Sequence, residues 1–270
     1  MSATLPHRIS DLRSNHLRSN HLRSNDLRSN DPRVVDSHKN DVREKLIVAL
    51  DVSTATAAQK IVRAVGDSAL TYKVGMQLYT AEGPQVVRDL VASGRLVFLD
   101  LKYHDIPNTV AAAVHEAARL GVSMLTVHAA GGGKMLHAAV DAARIVNPAL
   151  LVLGVTVLTS LDQNEMEKVG FQRTVREEVL RLSALALDNG CKGIVTSTHE
   201  TAAVRAGLGH NFAIVTPGVR PAGSRHGDQA RVATPAEAIA AGANYIVVGR
   251  PITEAADPAA EARAILDQIS

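Results

Sequence analysis

The sequence predicts an α/β protein built as one (β/α)8 barrel, and three observations carry that expectation. Between residue 45 and the end of the chain, eight short apolar runs alternate with eight Ala-rich segments of helical periodicity, the pattern of βαβ units whose parallel strands need such crossovers. Eight such units in about 225 residues fit a closed TIM barrel in size as well as in number. Polar and charged residues also gather where the runs stop, which is the end at which such barrels build their sites. A doubly wound open sheet is the alternative, but its G-x-G-x-x-G turn is missing, because the first run leads into Asp51-Val52-Ser53.

Taken in order, the expected strands are 46–50, 70–74, 96–101, 124–127, 151–157, 193–197, 212–216 and 245–248. Each is a short apolar run, most of them rich in Val, Ile or Leu. The expected helices are 55–65, 84–92, 107–120, 134–146, 175–187, 201–206, 235–241 and 256–269, several of them opened by proline at a first-turn position.

The first 43 residues stand apart. Asp11-Leu12-Arg13-Ser14-Asn15 recurs as residues 16–20, 21–25 and 26–30, a period of five that scatters Leu12, Leu17, Leu22 and Leu27 around any helix axis. Residues 1–43 are therefore expected to be a disordered pentapeptide-repeat extension, with 44–270 as the catalytic barrel. The extension holds eight Lys/Arg and five Asp/Glu, a net +3, so the whole-chain +2 leaves the remaining 227 residues at −1. With three Phe, four Tyr and no Trp, the body offers neither basic stripe nor stacking platform, and no nucleic-acid partner is expected. No apolar run approaches the roughly 20 residues that span a bilayer, so no membrane partner is expected either. Cys191 is the only cysteine, which excludes an intrachain disulfide and fits a reducing, cytoplasmic setting.

The densest chemistry lies in Leu99-Asp100-Leu101-Lys102-Tyr103-His104-Asp105, where a strand ends ahead of the helix opened by Pro107. Residues two apart on a strand share a face, so Asp100 and Lys102 project together. Plainer roles are open to these residues: Asp105 fits as a helix cap and Asp100 with Lys102 as an ordinary ion pair. The other strand ends supply Asp51, Lys73, His128, Thr159 with Ser160, Thr216-Pro217-Gly218, and Gly249-Arg250. Barrels commonly bind phosphate between the last two loops, where Gly249 permits close backbone approach and Arg250 can fork onto phosphate oxygens. The Gly-rich stretch 217–231 is long enough to act as a lid, with Arg220 and Gln229 as further phosphate donors. His128 reads as a hydrogen-bonded structural histidine, Gly131-Gly132-Gly133 as a tight turn, His115 and His137 as surface residues, and Cys191 as a core residue. The four histidines of the first 38 residues show no metal-ligand spacing.

These residues resemble the orotidine 5′-phosphate decarboxylase family. The resemblance rests on Leu99 to Thr109, on Leu50-Asp51-Val52, Lys73-Val74-Gly75, Val155 to Ser160 and Thr216 to Pro221, and on Val248-Gly249-Arg250-Pro251-Ile252. It implies a homodimeric carboxy-lyase that converts orotidine 5′-phosphate to uridine 5′-phosphate (UMP) and carbon dioxide in the last step of de novo pyrimidine biosynthesis, with no cofactor and no metal. It further implies that Lys102 protonates C6, that Asp100 sits beside the departing carboxylate, and that Lys73 and Asp105 complete a charge array. Asp105, Ile106 and Thr109 would reach across the dimer interface. Asp51 and Lys73 would hold the ribose, Thr159 and Ser160 the base, and Pro217, Arg220, Gln229, Gly249 and Arg250 would surround the phosphate. Two other readings stay open: a metal-dependent sugar-phosphate lyase of the same superfamily, using Asp100 on Mg²⁺, and a non-catalytic nucleotide-binding barrel.

Overall fold

The structure is a computed structural model, and it describes residues 41–221 and 233–270. The repeat segment, Gln229 and most of the expected 217–231 lid lie outside the described residues.

The chain opens with α1 (Val42–Lys45), where the Asp41 side chain accepts from the Arg43 N–H, and runs directly into β1 (Leu46–Ala49). The remaining strands are β2 (Thr71–Gly75), β3 (Leu96–Tyr103), β4 (Met124–His128), β5 (Leu151–Val155), β6 (Gly193–Val195), β7 (Ala213–Thr216) and β8 (Tyr245–Val248). All eight pair in parallel and in chain order, and β1 closes on β8 through Leu46↔Ile246 to Val48↔Val248. Closure removes both sheet edges, and the doubly wound alternative is thereby excluded.

The helices are α2 (Ala55–Val65), α3 (Met76–Glu82), α4 (Gln85–Ala92), α5 (Pro107–Arg119), α6 (Gly133–Val146), α7 (Gln163–Lys168), α8 (Val175–Asp188), α9 (Thr198–Leu208), α10 (Pro235–Ala240), α11 (Arg250–Thr253) and α12 (Pro258–Asp267). Their starts follow local chemistry. Thr54 accepts from Ala57 N–H to begin α2, and Thr174 with Glu177 and Thr234 with Glu237 form capping boxes on α8 and α10. Expected and observed elements agree closely, with a few differences. The fifth and sixth strands stop two residues early, the third runs on to Tyr103, and α9 is longer than 201–206. α1, α3 and α7 were not expected, α1 taking Val42 and Arg43 out of the expected disordered extension.

Alternation along the strands divides the core in two. Ile47, Ala49, Phe98, Met124, Leu153, Val215 and Val247 fill the barrel, whereas Val48, Tyr72, Val74, Leu99, Leu125, Ile194 and Ile214 face the helices. Cys191 is buried, as expected, and burial pushes its thiol up to about 12. At the amino end of the barrel, buried Arg205 of α9 donates to the carbonyls of Gly209, Phe212 and Gly242 and to Asn244 Oδ1, and its guanidinium lies 4.7 Å from the Phe212 ring centroid. That end is thus held by a satisfied structural cation.

Candidate active site

A cavity of about 560 Å³ opens at the carboxyl ends of the strands. Ala49, Phe98, Val195 and Val247, from inside the barrel, form its apolar wall. Asp51, Lys73, Asp100, Lys102, Thr159, Pro217, Arg220, Gly249 and Arg250 also line it, so nine expected site residues meet in one space.

Four of them form a file of alternating charge across β1, β2 and β3. Lys73 Nζ lies 2.7 Å from Asp51 Oδ1 and 4.0 Å from Asp100 Oδ2, and Lys102 Nζ lies 2.8 Å from that same Asp100 oxygen. The Lys73 and Asp100 side chains are only 12% and 13% exposed, so their attraction is much less screened than at a surface. Space for the first pair depends on Gly75, where a Cβ would stand 3.0 Å from Lys73 Nζ and 3.3 Å from Asp51 Oδ1.

Asp100 and Lys102 do not meet by simple alternation. Leu99 pairs with Leu125 and Tyr103 with Val127, so Asp100, Leu101 and Lys102 together oppose the single residue Thr126. This bulge places Lys102 at φ 50°, the only positive φ of a non-glycine among the described residues. An L-residue there costs about 1–2 kcal/mol. Thr126, fully buried, answers it: its Oγ1 accepts the Lys102 N–H at 2.9 Å and donates to Asp100 Oδ1 at 3.0 Å.

The segments that follow β7 and β8 bring Arg220 and Arg250 to the same cavity. Arg250 opens α11 behind Gly249, and Arg220 is buried where its N–H bonds to the Ala233 carbonyl, next to the Val219↔Ala233 bridge. Glu254, Thr196 and Val157 also line the space and escaped the sequence reading, since none stands in a charged cluster or a Gly-rich turn.

Four expected residues are placed elsewhere. Ser160 is exposed beyond the cavity lining. Asp105, Ile106 and Thr109 also lie outside it and face outward, with Ile106 66% exposed, and Asp105 Oδ1 accepts the Ile106 N–H at 2.6 Å. His128 corrects an expectation, because its buried Nδ1 has no hydrogen-bond partner among the described residues. Its ring stacks on His104 at 5.3 Å instead, and burial, with His104 and Lys102 nearby, holds its pKa below the ordinary value. His115 and His137 are at the surface, as expected. Among the described residues no three His, Cys, Asp or Glu side chains are placed to hold a metal ion, and no helix is long and apolar enough to cross a membrane.

Comparison with known proteins identifies the family. Over 233 residues the chain is 52% identical to the orotidine 5′-phosphate decarboxylase of Moorella thermoacetica, covering 84% of this chain and 92% of that one. It is 54% identical over 222 residues to the enzyme of that name from Anaeromyxobacter sp. strain K, covering 82% and 96%. The crystal structure of orotidine 5′-phosphate decarboxylase from Lactobacillus acidophilus superposes with a TM-score of 0.77 at 36% identity, over 84% of this chain and 99% of that one. Residues 44–265 match the family model as well, and the chain belongs to the orotidine 5′-phosphate decarboxylase / HUMPS family.

Proposed function

We propose that this barrel decarboxylates orotidine 5′-phosphate to UMP and carbon dioxide, with Lys102 as the proton donor. The observation that carries the reading is the file Asp51, Lys73, Asp100, Lys102 in a cavity that Arg220 and Arg250 also line. In the reaction the bond from C6 to the carboxylate breaks and its electron pair stays on C6, where no ring carbonyl can readily take it up. The Lys102 ammonium stabilises that charge and gives its proton to C6, and solvent later restores it. Asp100 disfavours the substrate carboxylate and holds the lysine. Asp51 and Lys73 take the ribose hydroxyls, and Thr159 lies by the base, whereas Ser160, outside the cavity lining, is given no contact. Arg220, Gln229, Gly249 and Arg250, with Pro217 beside them, take the phosphate. That grip is remote from C6, so its binding energy is free to close the site and exclude water.

The engaged carboxylate of Asp100 favours this chemistry over a metal-dependent lyase. One oxygen already accepts from Lys102 and the other from Thr126, so a cation would have to displace an ammonium. The reading also makes the protein a homodimer in which Asp105, Ile106 and Thr109 enter the partner's cavity. In support, all three are exposed and none lines the cavity of its own chain. On the same reading residues 1–43 are an appendage to a 44–270 catalytic domain in the cytoplasm, and deleting them leaves turnover near the full-length rate.

The decisive assay follows the ultraviolet absorbance of orotidine 5′-phosphate with purified protein in excess EDTA. Rapid loss of the substrate band is expected. A folded protein that leaves the band unchanged, or that turns over only when Mg²⁺ is restored, overturns the proposal.

A further inference from the structure

We infer that Thr126 is a positioning residue for the proton donor: its single hydroxyl fixes both the left-handed backbone of Lys102 and the carboxylate that aims the ammonium. The inference rests on Lys102 acting as the donor. Thr126 neither lines the cavity nor carries charge, so it touches no substrate. Its position is nevertheless singular, because the bulge in β3 sets three residues, Asp100 to Lys102, opposite this one residue of β4. In a regular ladder the Lys102 N–H would be met by a neighbouring carbonyl, but here it is met by Thr126 Oγ1.

The hydroxyl is used in both directions. Accepting from the Lys102 amide commits its proton to Asp100 Oδ1, which leaves Oδ2 for Lys102 Nζ at 2.8 Å and Lys73 Nζ at 4.0 Å. Backbone and side chain of the donor lysine are therefore tied to one oxygen atom. A side chain of the same shape without the hydroxyl releases both ties. Lys102 then samples ordinary backbone conformations and Asp100 rotates, and the ammonium is no longer held where C6 will develop charge. Arg220 and Arg250, the expected phosphate donors, follow β7 and β8 rather than β3 or β4 and are untouched.

Thr126→Val keeps the volume and removes the oxygen, while Thr126→Ser keeps the oxygen. For Thr126→Val, kcat is expected to fall about 10- to 100-fold, the worth of hydrogen bonds to a charged group. KM and the Kd for UMP should stay within about twofold of wild type, since only transition-state interactions are lost. Thr126→Ser should recover most of kcat. If the valine variant does not fold, Thr126→Ala against Thr126→Ser reads the same ratio. A valine or alanine variant with wild-type kcat overturns the inference. So does a loss that serine does not rescue, or a parallel fall in UMP affinity. Failure of the wild-type protein to decarboxylate would instead overturn the assignment of Lys102 on which the inference stands.

Discussion

Replacing Lys102 by alanine tests the proposed chemistry most directly. The ammonium sits 2.8 Å from Asp100 Oδ2 with its side chain 26% exposed, so it works in a partly desolvated wall. A unit negative charge growing on C6 at about 3 Å from such a cation gains about 5–6 kcal/mol at an effective dielectric constant near 20. At 1.4 kcal/mol per decade that is roughly 10⁴ in rate. Loss of the positioned proton source removes about a further 10². Without the lysine, the developing charge also faces Asp100 with only Lys73 nearby, at 4.0 Å from that carboxylate. We expect kcat to fall at least 10⁴-fold in the absorbance assay, while UMP still binds through Arg220 and Arg250. Circular dichroism should show an intact barrel. A folded variant within about 10² of the wild-type kcat/KM would refute the argument that this cation carries the reaction.

Three other outcomes are expected. If Asp105 serves the partner's site, mixing inactive Lys102→Ala with inactive Asp105→Asn subunits regenerates one complete site per hybrid dimer, or about a quarter of wild-type activity at equal ratio; no recovery after verified subunit exchange would place Asp105 outside the partner's cavity. Gly193→Ala drives a Cβ to 2.5 Å from the Ala213 carbonyl oxygen and 2.9 Å from Leu153 Cδ2. It should cost about 2–3 kcal/mol, read as a Tm lower by about 5–10 °C, and an unchanged Tm would contradict the packing. Burial raises the Cys191 thiol from 9.0 to about 12, and Tyr72 and Tyr103 from 10.0 to about 12. The folded state thus keeps protons that the unfolded chain releases, so this stability is whole below about pH 9 and is lost between about 9 and 12. Urea midpoints should fall across that window, and a midpoint constant to pH 11 would count against it.

The barrel was legible because each layer repeats a simple rule: short buried apolar strands, amphipathic Ala-rich helices, and first-turn prolines such as Pro107 and Pro235. The omissions have local causes. α3 leaves β2 at Gly75 with no capping side chain and begins on Met76, which is 56% exposed, so no apolar face announces it. α7 buries only Met166, although Asp162 three residues before Glu165 is a cap signal that could have found it. In the site, Asp100 and Lys102 were readable from their spacing, but the reason they meet was not. The bulge depends on which residue of β4 stands opposite, and Thr126 looks like any strand threonine until register is known. Thr196 and Val157 lie just past the ends of β6 and β5, where closure rather than local sequence turns them into the cavity.

The seam between β1 and β8 orders events during synthesis. Leu46–Val48 are made about 200 residues before their second neighbours, Ile246–Val248. For most of its time on the ribosome the nascent sheet therefore carries an open edge on β1, the kind of surface that chaperones shield. Asp51 is made long before Gly249 and Arg250, so a nascent chain holds one part of the cavity lining before the other exists. Closure arrives with β8, and a chain that stalls before residue 245 keeps its β1 edge open.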